Sequence, residues 1–433
     1  MRISLLMKNL LEFSKREHNL INIGNKLFLI GVFFLPSSLF ISLLFLLPAG
    51  IIGSLRNERK FFKDHWNLIF FVCGALILFN SILQNYYIKN DFQEIWNSNL
   101  SFIGLANWLP FFWLFWAFQP FVNSSSRRKK LALVLISGTL PVVISGFTQY
   151  FLNWYGPFKI LNGLIVWYQK PIIDPGGLSG LFSNQNYAGS WFNFIWPLCI
   201  ALILEKSENI IKKIISISFL FSIGFSAFLT NSRNAWLGLI TTTPLVIGQT
   251  SIKFLIPILI IFALFFLYAL LPIFESNFQE VIINIIPKKI LMEFSSEGYK
   301  DLDVTRFQIL INAIKILRIN PIFGVGAASF TAIYQFQSGF WKGHSHNLPI
   351  ELAISYGLPV AIIFFTTLFL ILFLSGHKLF FKNLNLEYFD RAIWASTFFF
   401  FISQFVDIQY FDGKISILSW IFLSSLRNMI NEK

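Results

Sequence analysis

The chain has 433 residues, 55% of them hydrophobic and 13% charged, with a formal net charge of +13 and a mean hydropathy of +0.64. So apolar a chain of this length does not close into a water-soluble globule, which excludes a soluble enzyme and predicts an all-α polytopic membrane protein. Its Lys and Arg fall in short segments between apolar runs, a topology signal rather than a nucleic-acid surface.

Residues 1–26 are basic and amphipathic, without a long apolar core or a small-residue cleavage site, and read as a cytoplasmic interfacial helix. A bilayer core of about 30 Å takes roughly 20 apolar residues per helix, fewer where Pro or a hairpin shortens the span. Twelve transmembrane helices are predicted near 27–36, 38–53, 66–85, 105–122, 131–150, 187–204, 214–231, 235–249, 254–272, 347–374, 392–408 and 413–427. The first two form one run broken at Pro36, Ser37 and Ser38. Nine spans thus occupy 27–272, and the last three lie in 347–433 with the C-terminus. Between spans 9 and 10 lies 273–346, too long for a plain connection and predicted to be a helical outward-facing segment. Within it, Val304, Phe307, Leu310, Ile311, Ile314 and Leu317 have the spacing of one helical face, with Asp303 as the cap and Asn320–Pro321 as the stop.

Cytoplasmic connections carry the Lys and Arg excess. One set of connections holds "RNERKFFK" (56–63), "RRKK" (127–130), Lys206, Lys212, Lys213, Lys253, Lys378, Lys382 and Arg391, together with both termini. The alternate set, 86–104, 151–186, the Arg233 turn, 273–346 and 407–413, is poor in basic residues or nearly balanced, and is expected to face outward. Cys73 and Cys199, the two cysteines, both lie inside apolar runs, so no disulfide framework, cysteine metal site or redox chemistry is expected. The sequence has no nucleophile elbow, no phosphate-binding Gly-Lys-Ser/Thr loop and no basic-aromatic groove. No cofactor, no metal and no nucleic-acid partner is expected.

Three outward places carry polar residues that solubility does not explain: the Arg233 turn, the 151–186 loop, whose "GGLSGLFSNQNYAGSW" (176–191) runs a Gly and Asn cluster directly into a membrane helix, and the long segment 273–346. Arg233 sits in a tight turn between two apolar runs. Flanking arginines often snorkel, but that habit favours the cytoplasmic side, and an anion partner explains a guanidinium here better. "GHSHNLPIELAISYGLP" (343–359) places His344 and His346 at the start of a helix beginning near Asn347, with Pro349 in its first turn. The positive end of the helix dipole disfavours an imidazolium there, so a neutral histidine can accept a proton. Two histidines with no nearby carboxylate before Glu351 make a poor zinc site, so general base ranks above metal ligand, with both histidines open. Arg306 lies on the amphipathic helix; alone it reads as a solvated face, beside a second outward arginine as an anion ligand. "DLD" (301–303) reads as a helix start.

These segments together resemble the O-antigen ligase and polymerase family of membrane glycosyltransferases, over most of residues 170–375. "GLFSNQNYAG" (180–189) is similar to the family's Gly-x-Phe-x-Asn-x-Asn-Tyr segment, and "SRNAWLGL" (232–239) to its Ser-Arg-x-x-Trp turn. "TRFQILINAIKILRINPIFGVGAASF" (305–330) is similar to an Arg-led helix followed by Pro-x-x-Gly-x-Gly. "HSHNLPIELAISYG" (344–357) is similar to the His-x-His-Asn helix start and to the ligase pattern of His-Asn, nine residues, then Gly-x-x-Gly, except that Val360 stands for its last Gly. The resemblance implies a metal-independent, inverting transfer of a glycan from a polyprenyl diphosphate carrier to an acceptor hydroxyl. The acceptor would be lipid- or protein-linked, so a polysaccharide polymerase and a protein O-oligosaccharyltransferase stay open beside the ligase. Arg233 and Arg306 would hold the diphosphate and His346 would be the base, with His344 second. Gly180, Asn184, Asn186, Tyr187, His344 and Asn347 would contact substrate. The implied place is a bacterial inner membrane, in contact with its lipids, with both termini cytoplasmic and the site facing the periplasm. A reading of another class, a small-anion transporter of bicarbonate type, expects ionisable groups near the midplane in two related halves.

Overall fold

The computed structural model describes residues 19–57, 60–86, 95–173, 176–205, 207–248, six positions between 251 and 264, 306–382 and 388–432. Most of the N-terminal helix, most of the 254–272 span, residues 273–305 and the "DLD" stretch lie outside the described residues.

Among the described residues the protein is mostly helical, and the helices follow the apolar runs. The first run is two helices, α1 (Asn19–Phe34) and α2 (Leu39–Arg56), because Ser38 accepts the Ile41 amide and caps α2. There follow α3 (His65–Tyr86), α4 (Leu100–Gly104), α5 (Leu109–Ala117), α6 (Ser125–Gly138) and α7 (Leu140–Leu152). The all-α expectation needs one correction here. Residues 158–167 form an antiparallel hairpin, β1 (Phe158–Ile160) against β2 (Ile165–Trp167), with Phe158 opposite Trp167. Then come α8 (Gln185–Leu204), α9 (Ile210–Leu229), α10 (Arg233–Ile247), α11 (Arg306–Leu317), α12 (Ser329–Ser338), α13 (Leu348–Tyr356), α14 (Leu358–His377), α15 (Tyr388–Ser403) and α16 (Gly413–Asn431).

Among the described residues, seven helical segments are long and apolar enough to cross a membrane: 39–56, 65–86, 100–117, 125–152, 185–204, 210–229 and 358–381. Helices α1, α10, α15 and α16 stand at four of the other five expected positions but are shorter or more polar, and the fifth, 254–272, lies mostly outside the described residues. Helices α8, α15 and α16 are buried on nearly every face and form the middle of the bundle. Trp420 of α16 lies within ring contact of Phe70, Phe112, Phe115 and Phe364, tying α3, α5, α14 and α16 together.

Two ends emerge from the contacts. At one, the fully buried Arg128 donates from Nε and Nη2 to the two carboxylate oxygens of Asp390, at 2.7 and 2.8 Å, and also reaches Glu432. Arg427 pairs with Asp64 nearby, Lys129 with Glu205, and Arg391 donates to the Ile247 carbonyl. The basic connections therefore gather at this end. The opposite end gathers the basic-poor connections: Trp167 Nε1 donates to the Ser37 carbonyl, Gln84 Nε2 to that of Phe323, and Asn347 Nδ2 to that of Phe405.

Two expectations about the outward segments change. Helix α11 buries Ile309, Ala313 and Ile316, while Ile311 and Ile314, placed on the buried face from the spacing, are exposed. The small Ala313 lets α11 approach a cluster of Phe330, Ile333, Tyr334 and Ile354, and that contact rotates the helix from the face the larger residues suggest. The span at 347–374 is two helices, because Gly357 breaks it at φ 90°. A Cβ on Gly357 would lie 1.9 Å from the Ile322 carbonyl oxygen, and one on Gly324, itself at φ 76°, would lie 2.7 Å from the Gly357 nitrogen. With Leu358 N donating to the Pro321 carbonyl at 2.8 Å and Val325 N to that of Ile354 at 2.7 Å, the "PIFGVG" stretch is clamped against the break. This clamp sets the end of α11 against the end of α13. Val360 lies in the first turn of α14, fully buried and without positive φ, so no glycine is demanded there.

Gly357→Ala is expected to lower stability by about 2–3 kcal/mol through left-handed strain and the carbonyl clash. Thermal unfolding in detergent measures it, and an unchanged midpoint would mean that the clamp is not closed as described.

Candidate active site

The start of α13 is held by its own polar residues. The Asn347 side chain accepts the Ile350 amide at 3.0 Å as the cap, and Pro349 occupies the first turn, where a missing N–H leaves no bond unmade. Ser345 N donates to Glu351 Oε2 at 2.8 Å, and His346 N to His344 Nδ1 at 3.2 Å. The turn so formed puts His346 at φ 56°, an uncommon conformation for a non-glycine residue that the surrounding bonds maintain.

His346 Nδ1 lies 2.7 Å from Asp407 Oδ1, in the loop beyond α15. A carboxylate only accepts, so the fitting tautomer carries its proton on Nδ1 and leaves the Nε2 lone pair open. Arg306 Nη2 is 3.9 Å from Asp407 Oδ2, and Asn186 Nδ2 is 3.5 Å from the same oxygen. Burial pushes the Asp407 carboxyl up, but the His346 hydrogen bond and the nearby positive groups outweigh it and hold the acid below its usual range. His344, its ring centroid 4.5 Å from that of His346, is pushed down to about 4 by burial, then by its neighbours His346 and Arg306, against the opposing pull of Asp407. His344 is therefore neutral near pH 7, and the carboxylate contact distinguishes His346 from it.

The Asn-rich segment reaches the same place through α8. Asn184 accepts the amides of Asn186 and Tyr187 and caps the helix, which turns Asn186 toward Asp407. Tyr187 is partly buried against the hydrophobic core. Gly180 is buried, at φ 55°, and a Cβ there would meet the Val142 carbonyl oxygen at 2.8 Å. It shapes the loop and is not itself exposed to a ligand. Lys414 Nζ donates to the Pro36 and Leu181 carbonyls at 3.0 and 2.8 Å and stands 4.5 Å over the Phe182 ring, fastening the loop to α16.

Arg233 opens α10 and is exposed. Its neighbour Asn234 reaches Ser190 Oγ at 3.5 Å, and the Asn234 carbonyl accepts from Asn193 Nδ2 at 2.9 Å. Asn186, Ser190 and Asn193 follow one another along one face of α8, so the start of α10 meets α8 about one helical turn beyond Asn186. Arg306, His346, His344, Asn186 and Asp407 form one cluster, and the start of α10, where Arg233 stands, adjoins it through α8.

Asp407 is the residue that sequence reasoning missed. It lies 61 positions beyond His346, at the edge of a span, and its available signal was being an acid in the short outward loop "DIQYFDG" (407–413). Missing it also undervalued the metal-binding reading. His344, His346 and Asp407 each offer a ligand atom, all within 4.8 Å of one another, so the absence of a carboxylate near the histidines does not hold in space.

Residues 217–365 match the family model for O-antigen ligase, confirming the resemblance over the stretch that contains Arg233, Arg306 and His346. No curated protein matches the chain.

A histidine whose folded value is about 4 and whose ordinary value is 6.5 binds more protons in the unfolded chain between those limits. Its contribution to stability is complete above about pH 6.5 and is lost as pH falls toward 4. The thermal midpoint should drop across that window, and His344→Gln should flatten the drop; an identical slope in the variant would contradict the burial of a neutral imidazole.

Proposed function

We propose that this chain, which resembles the O-antigen ligases over 217–365, is a membrane glycosyltransferase. It transfers a glycan from a polyprenyl diphosphate carrier to an acceptor hydroxyl at the outer face of the inner membrane. The observation that carries this reading is the Asp407–His346 contact, with Arg306 beside it.

In this mechanism Asp407 holds the His346 Nδ1 proton, and Nε2 takes the proton of the acceptor hydroxyl. The acceptor oxygen forms a bond to the anomeric carbon as the bond from that carbon to the diphosphate oxygen breaks. The electron pair leaves on the diphosphate, attack from the opposite face inverts the configuration, and the products are a glycoside and free polyprenyl diphosphate. Arg233 and Arg306 stabilise the charge growing on the leaving group, which replaces an acid catalyst. Arg306 also raises the local positive potential beside the His344, His346 and Asp407 ligand atoms, which favours an anion over a divalent cation there; the transfer is metal-independent. The acceptor is lipid-linked, with polymerisation and protein glycosylation as the variants open to the same chemistry.

Twelve spans, with the basic end cytoplasmic and the His346 end periplasmic, fit this role. The gathering of basic loops at one end of the bundle supports that orientation under the positive-inside rule. A small-anion transporter is less well supported, because the ionisable cluster sits at one end rather than near mid-bundle.

His346→Ala and Arg233→Ala are expected to abolish surface glycan on a gel while the protein stays in the membrane. Asp407→Asn should reduce turnover about 10²–10⁴-fold with little change in donor KM. Transfer should persist in EDTA. Normal transfer by His346→Ala, or loss of transfer to the chelator, would remove the mechanism. Reporter fusions after Lys130 should be active only in the cytoplasm, and fusions at 161–164 only outside; the reverse pattern would overturn the orientation.

A further inference from the structure

A cavity of about 440 Å³ opens at the His346 end of the bundle, lined in part by Gln149, Lys170, Gly177, Ser183, Gln185 and Asn186. Its volume falls in the range of small-molecule sites, about 300–1,000 Å³. One side belongs to the base: Asn186 lines the cavity and touches Asp407. Another part of the lining packs on the Arg233 turn. Asn231 Nδ2 donates to the Gly176 carbonyl at 2.9 Å, Leu178 N donates to the Leu229 carbonyl at 2.9 Å, and a Cβ on Gly177 would stand 2.1 Å from the Thr230 carbonyl oxygen. The cavity thus adjoins both the Asp407 contact and the turn that leads into Arg233.

Its walls are preformed. The buried Gln149 accepts the Ser179 and Gly180 amides at 2.9 and 3.0 Å, and donates to the Lys170 carbonyl at 2.8 Å and to Ser179 Oγ at 3.0 Å. The lining offers hydroxyl, amide and ammonium groups, with Ile172 and Ile173 as an apolar patch. Hydroxyls and amides bond to sugar hydroxyl and acetamido groups, and an apolar patch suits the C–H face of a pyranose ring.

We propose that this cavity is the subsite for the first sugar of the donor, the pyranose joined to the diphosphate. The assignment rests on the transferase reading above and adds where the reacting anomeric carbon is held. A sugar seated here lies beside both the His346–Asp407 pair and the turn that leads into Arg233, next to the groups that would take the acceptor proton and hold the diphosphate.

The test is binding by the purified full chain in nanodiscs of two probes, a short polyprenyl diphosphate and the same lipid carrying one N-acetylglucosamine. Two or so neutral hydrogen bonds correspond to roughly tenfold or more, so the sugar-bearing probe should bind at least about tenfold tighter. Ser183→Trp, which fills the exposed rim, should erase that difference while leaving the bare lipid's affinity unchanged, and Ser183→Val should reduce it. Arg233→Ala should weaken both probes alike. A difference that survives in Ser183→Trp and Ser183→Val, or one absent from the unaltered protein, overturns the subsite and leaves the transferase reading standing. Failure of the unaltered protein to bind either probe overturns both.

Discussion

The contact between His346 Nδ1 and Asp407 Oδ1, 2.7 Å long, is the interaction on which the rest of the outward end depends. It joins the first residues of the 344–357 motif to a loop 61 positions downstream, and it fixes which imidazole nitrogen carries a proton. Arg306 and Asn186 both approach the other carboxylate oxygen. One aspartate therefore draws α8, α11 and α13 together. Without it, His346 would lack the carboxylate that sets its tautomer.

The contact is possible because the remainder of the bundle holds α15 and α16 still. At the basic end the Arg128–Asp390 and Arg427–Asp64 pairs fasten the start of α15 to α6 and the end of α16 to α3. Removing charges of this kind from water offsets much of their attraction, so the pairs specify register more than they add stability. At the outward end Asp412 caps α16 by accepting the Lys414 and Ile415 amides, and Lys414 carries that helix to the Leu181 carbonyl. The glycines of "PIFGVG" have a comparable task. They allow backbone to meet backbone at Gly357 and so fix α11, with its arginine, against α13.

Much of this was legible in the sequence, and the reasons are local. Apolar run length places helices where they are found, Pro36–Ser38 and Asn347 mark a break and a helix start, and Arg233, Arg306 and His346 stand out because charge or imidazole is hard to explain beside a membrane. What escaped depends on partners distant along the chain. The buried face of α11 is chosen by a cluster on α12 and α13 rather than by its own larger residues, so Ile311 and Ile314 misled. The break at Gly357 answers to the Ile322 carbonyl, and the β-hairpin at 158–167 is too short to leave an alternation. Asp407 had no neighbour in sequence to mark it, although in space it is the residue that His346 requires.

The most direct measurement is a structure of the protein in a lipid bilayer with a polyprenyl diphosphate glycan bound. The diphosphate is expected between the Arg233 and Arg306 guanidiniums, with the face of the anomeric carbon opposite the leaving oxygen open toward His346 Nε2. A diphosphate bound instead at the basic end of the bundle, among Lys60, Lys63 and His65, or an anomeric carbon turned away from His346, would contradict it.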